Sequence, residues 1–300
     1  MSVARTVAAL FATVAISLDA SSGARAQDCE RPAVIRYSMV PLRDAALDLR
    51  LHQPVFRRMT ALTGLQVEVV RATSYRAVVE GLLRGAVDIA ELGPATYIEA
   101  TLGDHGITAF ATMEKKEGLY QRRGAHYQAM LVVLKKRDFA DIGSLKGASL
   151  ALTDPGSTSG AQLPRKQFAA HVGMPLERYF GSVSYTGSHA NSAQALASEE
   201  IDAAFIASAQ LEEAHGTGKL LRSDVRILWE SGPIPNDAVV LRGPLCASLK
   251  RQLEEVFLGD DAGSSLRDWL QAMNANRFVP VDDSLYAGIR EVLESPPATR

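Results

Sequence analysis

Short apolar runs alternate with amphipathic stretches along most of this chain, and that alternation sets the fold class. Strand-like runs occur at Val34 to Val40, Val67 to Val70, Asp88 to Leu92 and Ile107 to Met113. Between them, apolar residues return every three or four positions in Gln53 to Thr63, Tyr75 to Arg84 and Pro94 to Leu102. That is the spacing of helices with one buried face, and Gly64 and Gly85 stop the first two. The series then restarts. Strands are predicted at Tyr127 to Leu134, Ser149 to Thr153, Val183 to Thr186, Ala203 to Ile206 and Val225 to Trp229, with helices from about Thr158 to His171 and Ala190 to Ala197. After Pro233 and Pro235 comes one more strand, Ala238 to Leu241, and then helices near Ala247 to Leu258, Ser265 to Asn274 and Asp283 to Leu293. Strands alternating with helices give α/β lobes with mainly parallel sheets. Two such series, joined by an outgoing and a returning strand, predict two lobes linked by two crossovers. The terminal helices pack back on the first lobe, and the cleft between lobes is where a small ligand sits.

The first residues change this picture little. Arg5, an apolar run from Val7 to Leu18 and the small-residue site Ala24-Arg25-Ala26 have the layout of a secretory signal peptide over residues 1–26. The run is too short for a spanning helix, and no later segment has the roughly eighteen apolar residues that one needs. The expected location is therefore outside the cytoplasm. Cleavage after Ala26 leaves 274 residues, enough for two modest lobes.

Charge excludes several partners. Without Arg5, Arg25 and Asp19 the chain has 30 basic and 33 acidic residues, a formal charge of −3. No global field draws nucleic acid or an anionic membrane, so any anion must be held by a local site. The six histidines show no paired ligand spacing, and neither a metal nor another cofactor is expected. Cys29 and Cys246 are the two cysteines; in an oxidising compartment they either pair or stay free, and the sequence leaves that open.

The stretch TDPGSTSG, Thr153 to Gly160, carries the most specific chemistry. Ser157, Thr158 and Ser159 stand between two glycines at a predicted helix start. A helix start has backbone N–H groups without intrahelical partners, and hydroxyls beside it add donors; together they can cradle a tetrahedral oxyanion. An ordinary N-cap explains one of the three hydroxyls. No lysine follows Gly160, so the stretch is not a P-loop, and threonine holds the central place that a nucleophile elbow gives to serine. A serine hydrolase using Ser157 or Ser159 with His189 and Asp237 is the enzymatic alternative, although no oxyanion-hole loop accompanies it.

Four stretches taken together, DIAELGPATY (Asp88 to Tyr97), TDPGSTSG, GSHANSAQALASEEIDAAF (Gly187 to Phe205) and SGPIPNDAVVLR (Ser231 to Arg242), resemble the periplasmic solute-binding subunits of ABC importers for phosphonate, phosphite and phosphate-like oxyanions. The resemblance runs from about Val34 to Leu258. It implies a type II periplasmic-binding-protein fold: two mixed, mainly parallel sheets flanked by helices, with two crossover strands. Lobe 1 is then residues 27–128 and 236–300, and lobe 2 residues 129–235. It also implies that Ser157, Thr158 and Ser159 donate to the oxyanion, with His189 as a further donor. Asp237 becomes the acceptor for a P–OH proton, and Tyr75 and Tyr127 become cleft tyrosines. Tyr97 is read as packing. Relatives that take aminoalkyl phosphonates place a carboxylate just after the Asp-Ala-Ala strand. Here that place reads Ala207-Ser208-Ala209-Gln210, which favours phosphite, methylphosphonate or phosphate, although Glu91 can supply a charge from the other lobe. The expected partners are a small oxyanion and a membrane permease, with the chain a monomer that catalyses nothing. A stand-alone anion sensor or scavenger of the same fold is the alternative.

Overall fold

The computed structural model describes residues 29–295, so the predicted signal peptide lies outside the described residues. Thirteen strands are arranged in two main sheets and one short ribbon. In chain order they are β1 (Val34–Met39), β2 (Gln66–Val69), β3 (Ile89–Leu92), β4 (Thr108–Lys115), β5 (His126–Tyr127), β6 (Ala129–Leu134), β7 (Ser149–Leu152), β8 (Ser182–Tyr185), β9 (Ala203–Ala207), β10 (Val225–Glu230), β11 (Ile234–Pro235), β12 (Ala238–Leu241) and β13 (Ala275–Pro280). The first sheet has the order β13-β4-β12-β3-β1-β2 and the second β10-β6-β9-β7-β8.

Both sheets are mixed in one way. β1 runs parallel to β2 and β3, and β7 runs parallel to β8 and β9. The strand that arrives from a crossover then inserts antiparallel: β12 between β3 and β4, and β6 between β9 and β10. β5 and β11 are the two crossings themselves. They pair with each other, Tyr127 opposite Ile234 and His126 opposite Pro235. The predicted strand from Tyr127 to Leu134 is thus broken at Gln128, where the chain passes from the ribbon into the second sheet.

Alternation along the strands explains why both sheet faces are covered. In β12, Val239 and Leu241 join the cluster around Trp269 and Phe257, whereas Ala238 and Val240 join the cluster around Tyr75 and Tyr97. In β9, Ala203 and Phe205 face Phe168, and Ala204 and Ile206 face Leu196 and Leu211. Strands buried on both sides read as continuous apolar runs, which is how they appear in the sequence. The predicted helix ends are set by backbone conformation. Gly64 (φ 72°) terminates the helix Gln53–Thr63 in the left-handed region, and Gly85 (φ 67°) follows the helix Tyr75–Leu83 in the same region.

Several elements depart from the sequence expectation. The helix Ala45–Leu51, capped by Asp44, and the helix Ser208–Gly216 were not anticipated. The helix predicted from Ser265 to Asn274 is split into Ala262–Ser265 and Arg267–Ala272 and gives way to β13. The segment from Thr158 to Phe168 is not an ordinary α-helix. Its turns are wider, with the Gln162 N–H donating to Ser157 O at 2.9 Å, five residues back, and Pro164 has no N–H to restore the usual spacing.

Cys29 and Cys246 are joined by a disulfide that closes 217 residues of sequence. The same junction is held by Glu30 N–H donating to Pro244 O at 2.8 Å and Cys246 N–H to Glu30 O at 2.9 Å. A cross-link over so long a loop removes much entropy from the unfolded chain, and losses of about 2–5 kcal/mol accompany removal of such bonds. Cys246→Ser is expected to lower the melting temperature while leaving ligand affinity within error, because Cys246 follows the end of β12 opposite Asp237 and neither cysteine lines the cavity. Differential scanning calorimetry with parallel titrations checks both halves; an unchanged melting temperature contradicts the stabilising role.

Candidate functional site

A cavity of about 60 Å³ lies between the sheets, lined from one side by Tyr75, Glu91 and Gly93, from the other by Ser157, Thr158 and His189, and at the crossover by Tyr127, Asn236 and Asp237. At ~10–15 Å³ for each water-sized position, it has room for four to six of them, the scale of one small tetrahedral ion and a short substituent. The cavity sits beyond the carboxyl ends of β1, β3 and β7, the usual place for ligands in open α/β sheets.

The lobes meet closely around it. Thr158 Oγ1 accepts the Ala95 N–H across the cleft at 2.9 Å, and Ala190 N–H donates to Leu42 O at 3.3 Å. A Cβ on Gly156 would fall 2.9 Å from Tyr75 Cβ and 3.1 Å from Thr96 Cγ2, so this glycine allows the approach. Arg43 bridges the lip, donating to Glu213 at 2.6 Å and to Asp48 at 3.1 Å.

Each predicted donor has a definite preparation. Ser157 caps the wide-turned segment by accepting the Gly160 N–H at 3.1 Å, while the N–H groups of Thr158 and Ser159 donate to no acceptor among the described residues. His189 begins the helix His189–Ala197 and is buried. Its Nδ1 accepts the Ala207 N–H at 3.2 Å, so in the neutral ring the proton is on Nε2. Nε2 faces Ser157 Oγ at 3.3 Å and Ser159 Oγ at 3.4 Å. Burial holds the His189 pKa down at about 3, so the ring is an uncharged donor at neutral pH. Burial also pushes the Tyr75 and Tyr127 phenols well up, leaving both as neutral hydroxyls, and the Tyr75 hydroxyl has no well-aligned protein partner.

Asp237 is the opposite kind of group. No hydrogen bond from the described residues reaches its carboxylate, and Gly93, whose Cβ position lies 3.7 Å from both Asp237 Oδ1 and Thr158 Oγ1, leaves the space between them open. Burial, and then the charge of Glu91, raise its pKa to about 6 against the pull of Lys115 and Arg43. Thr112 Oγ1 donates to its backbone carbonyl at 2.8 Å, and Asn236 Nδ2 donates to Met113 O at 2.8 Å, so the Pro-Asn-Asp turn is fixed to β4.

Six of the seven residues singled out in the sequence therefore line one cavity. Ser159 stands one layer back, behind His189, and does not line it. Tyr97 packs against Tyr286 with ring centres 4.7 Å apart, as a packing residue does.

What the sequence did not reveal is a second polar cluster at the other end of the cavity: Arg43, Asp48, His52 and Lys115, joined by Glu91. Glu91 accepts from the Tyr37 hydroxyl and lies 3.2 Å from His52 Nε2. His52 Nδ1 faces the Asp48 carbonyl at 2.7 Å, which can only accept, so a proton between Nε2 and Glu91 makes the pair an imidazolium and a carboxylate. Burial opposes charge on both, but their mutual attraction outweighs it, raising the His52 pKa and lowering that of Glu91. Asp48 was hidden because its helix was not anticipated. Lys115 reads as a solvated strand end. The one available signal was Glu91, a carboxylate in a strand whose residues are otherwise all apolar.

The geometry agrees with comparisons to known proteins. The family described as ABC transporter, phosphonate, periplasmic substrate-binding protein matches residues 37–286. The phosphate-import protein PhnD of Mycolicibacterium smegmatis is 26% identical over 313 residues, spanning 96% of this chain and 94% of that protein. Among solved structures, a binding protein component of an ABC phosphonate transporter from Pseudomonas aeruginosa superposes with a TM-score of 0.78 at 23% identity, covering 87% of this chain and 86% of that one. PhnD1 from Prochlorococcus marinus, solved in complex with methylphosphonate, gives 0.75 at 18% identity, covering 87% and 97%.

The Asp237 carboxylate makes a testable cost. Its pKa is raised from 3.8 to about 6 in the folded chain, so folding loses stability as the pH rises through that interval, and the loss is complete above it. The shift corresponds to at most roughly 3 kcal/mol, an upper figure because the side chain opens on the cavity. Asp237→Asn is expected to raise the melting temperature of the ligand-free protein at pH 7.5 and to leave it unchanged near pH 3.5. Thermal melts across that range check the sign; a variant less stable at pH 7.5 contradicts it.

Proposed function

The chain belongs to the family of periplasmic substrate-binding proteins of ABC phosphonate transporters, and from that membership we propose that its cavity holds a protonated phosphorus oxyanion for delivery to a membrane permease. Phosphite, methylphosphonate and phosphate are the ligands of the right size. The phosphorus group lies against Ser157, Thr158, His189 Nε2–H and the two tyrosine hydroxyls, with Ser159 supporting the histidine. These are all uncharged donors. Hydrogen bonds from them to a charged oxygen contribute roughly 1.5–3 kcal/mol each, and four or five of them offset the cost of ordering, so micromolar affinity or tighter follows.

One observation carries the reading: an Asp237 carboxylate with no protein donor faces the same space as the donors. A P–OH group supplies the missing proton. Sulfate, fully ionised at neutral pH, has none and sets its oxygens against the carboxylate. The hydrolase alternative does not fit this geometry. His189 has its proton on Nε2, the atom facing both serines, and so is a donor where a general base needs a lone pair. Asp237 is not hydrogen-bonded to that histidine. Members of the family are binding components of transporters.

Titration calorimetry at pH 7.5 against phosphite, methylphosphonate, phosphate and sulfate tests the reading. Binding of at least one phosphorus oxyanion with sulfate at least ~100-fold weaker is expected, the scale of one unpaired buried charge. Asp237→Asn should narrow that ratio by ~10-fold or more, since an amide can donate to sulfate. Failure of all three phosphorus anions, with tight binding of sulfate or a simple carboxylate, removes the proposal.

A further inference from the structure

The far end of the cavity contains a buried lysine with no counter-ion. Lys115, at the end of β4, is 8% exposed. Its Nζ donates to the Met273 carbonyl at 2.9 Å and approaches Met113 Sδ at 3.9 Å, and no carboxylate among the described residues comes within ion-pair distance. An ammonium has three donors; the carbonyl and the weakly accepting thioether take two, so one remains. A buried charge left so is costly unless something pairs with it. Burial lowers its pKa to about 8, which still leaves it charged at neutral pH.

The groups around Lys115 divide in a particular way. Most carboxylates there already have a cation: Asp48 and Glu213 share Arg43, and Glu91 is held by His52 and Tyr37; Asp237 attracts the ammonium across the cavity but makes no ion pair with it. The cations have capacity to spare, since Arg43 has five N–H donors and these contacts use two. Three flexible thioethers, Met39, Met113 and Met273, line the same cavity; they suit a short carbon chain and offer nothing to a charge. A ligand reaching this end meets unpaired donors, and the one unpaired carboxylate near them, Asp237, is the group that the P–OH of the phosphorus end occupies in the preceding reading.

We propose that Lys115 is a specificity-determining residue, and that the cavity prefers phosphonates whose short carbon substituent ends in a carboxylate. This rests on the preceding reading, in which the phosphorus group occupies the Ser157, His189 and Asp237 end. The ligand then spans the cavity with an anion at each end, one held by neutral donors and the other by the Lys115 ammonium with Arg43 beside it. A terminal ammonium is disfavoured: it meets the like charge of Lys115, and Ala209 and Gln210 provide no carboxylate.

Calorimetry at pH 7 with methylphosphonate, phosphonoacetate and the neutral amide of phosphonoacetate tests this on the unaltered protein. Phosphonoacetate is expected to bind at least ~10-fold more tightly than either of the others, the effect of one hydrogen bond to a charged group. In Lys115→Met that preference should fall to within ~3-fold, with phosphonoacetate weakened at least several-fold more than methylphosphonate; Lys115→Arg should keep part of it. Methylphosphonate binding as well as or better than phosphonoacetate overturns the inference and leaves the general reading intact. Equal weakening of both ligands in Lys115→Met also overturns it, because the lysine would then serve the phosphorus group or the fold. If no phosphonate binds at all, both fall together.

Discussion

The Ala207 N–H that donates to His189 Nδ1 is the interaction on which the rest of the site depends. It fixes the ring's tautomer without using a charge, and it turns Nε2–H toward the serine hydroxyls and the cavity. β9 ends at Ala207 and the helix bearing His189 packs on that strand, so the second sheet determines the direction of the donor. Removing the bond would free the ring to place its proton on the other nitrogen. The cavity would then present a lone pair to an anion, and every hydroxyl around it would have to reorient.

The consequence is a division of labour. At the hydroxyl end the cavity offers dipoles alone, the neutral donors of Ser157, Thr158, His189 and the two tyrosines. At the other end the side chains carry formal charges, nearly all already matched. Asp237 stands between the two as an acceptor in a ring of donors. Its raised pKa reflects burial and the nearby Glu91, and an unpaired carboxylate of this kind is tolerated where function requires it rather than where stability would choose it.

The parts of this design that were legible in the sequence are those written in local chemistry. Gly64 and Gly85 mark helix ends because their backbone conformations favour glycine. Thr153 to Gly160 stands out through the crowding of hydroxyls at a helix start, and β9 shows its burial through an unbroken apolar run, which in β3 only Glu91 interrupts. The wide turns after Ser157 were not legible, since nothing in the spacing of Leu163 and Phe168 separates them from an α-helix. The charged cluster was hidden for a different reason. Asp48 and His52 come from one helix junction and Glu91 and Lys115 from β3 and β4, three places that touch only after the first sheet has formed, and charged residues in isolation read as surface. Even the short helix carrying Asp48 runs directly into its successor at His52, so the boundary leaves no mark in the pattern.

The pairing of β5 with β11 has a consequence for how binding free energy is divided. Because the two crossings are bonded to each other, any bending of one lobe against the other would have to carry both together. Contacts from different parts of the rim, such as Thr158 with Ala95, Arg43 with Glu213 and Ala190 with Leu42, then all weigh on a single open-to-shut equilibrium. Whatever fraction of molecules these contacts already hold shut is work that an arriving guest need not do, so residues that never touch the guest can set how tightly it is gripped.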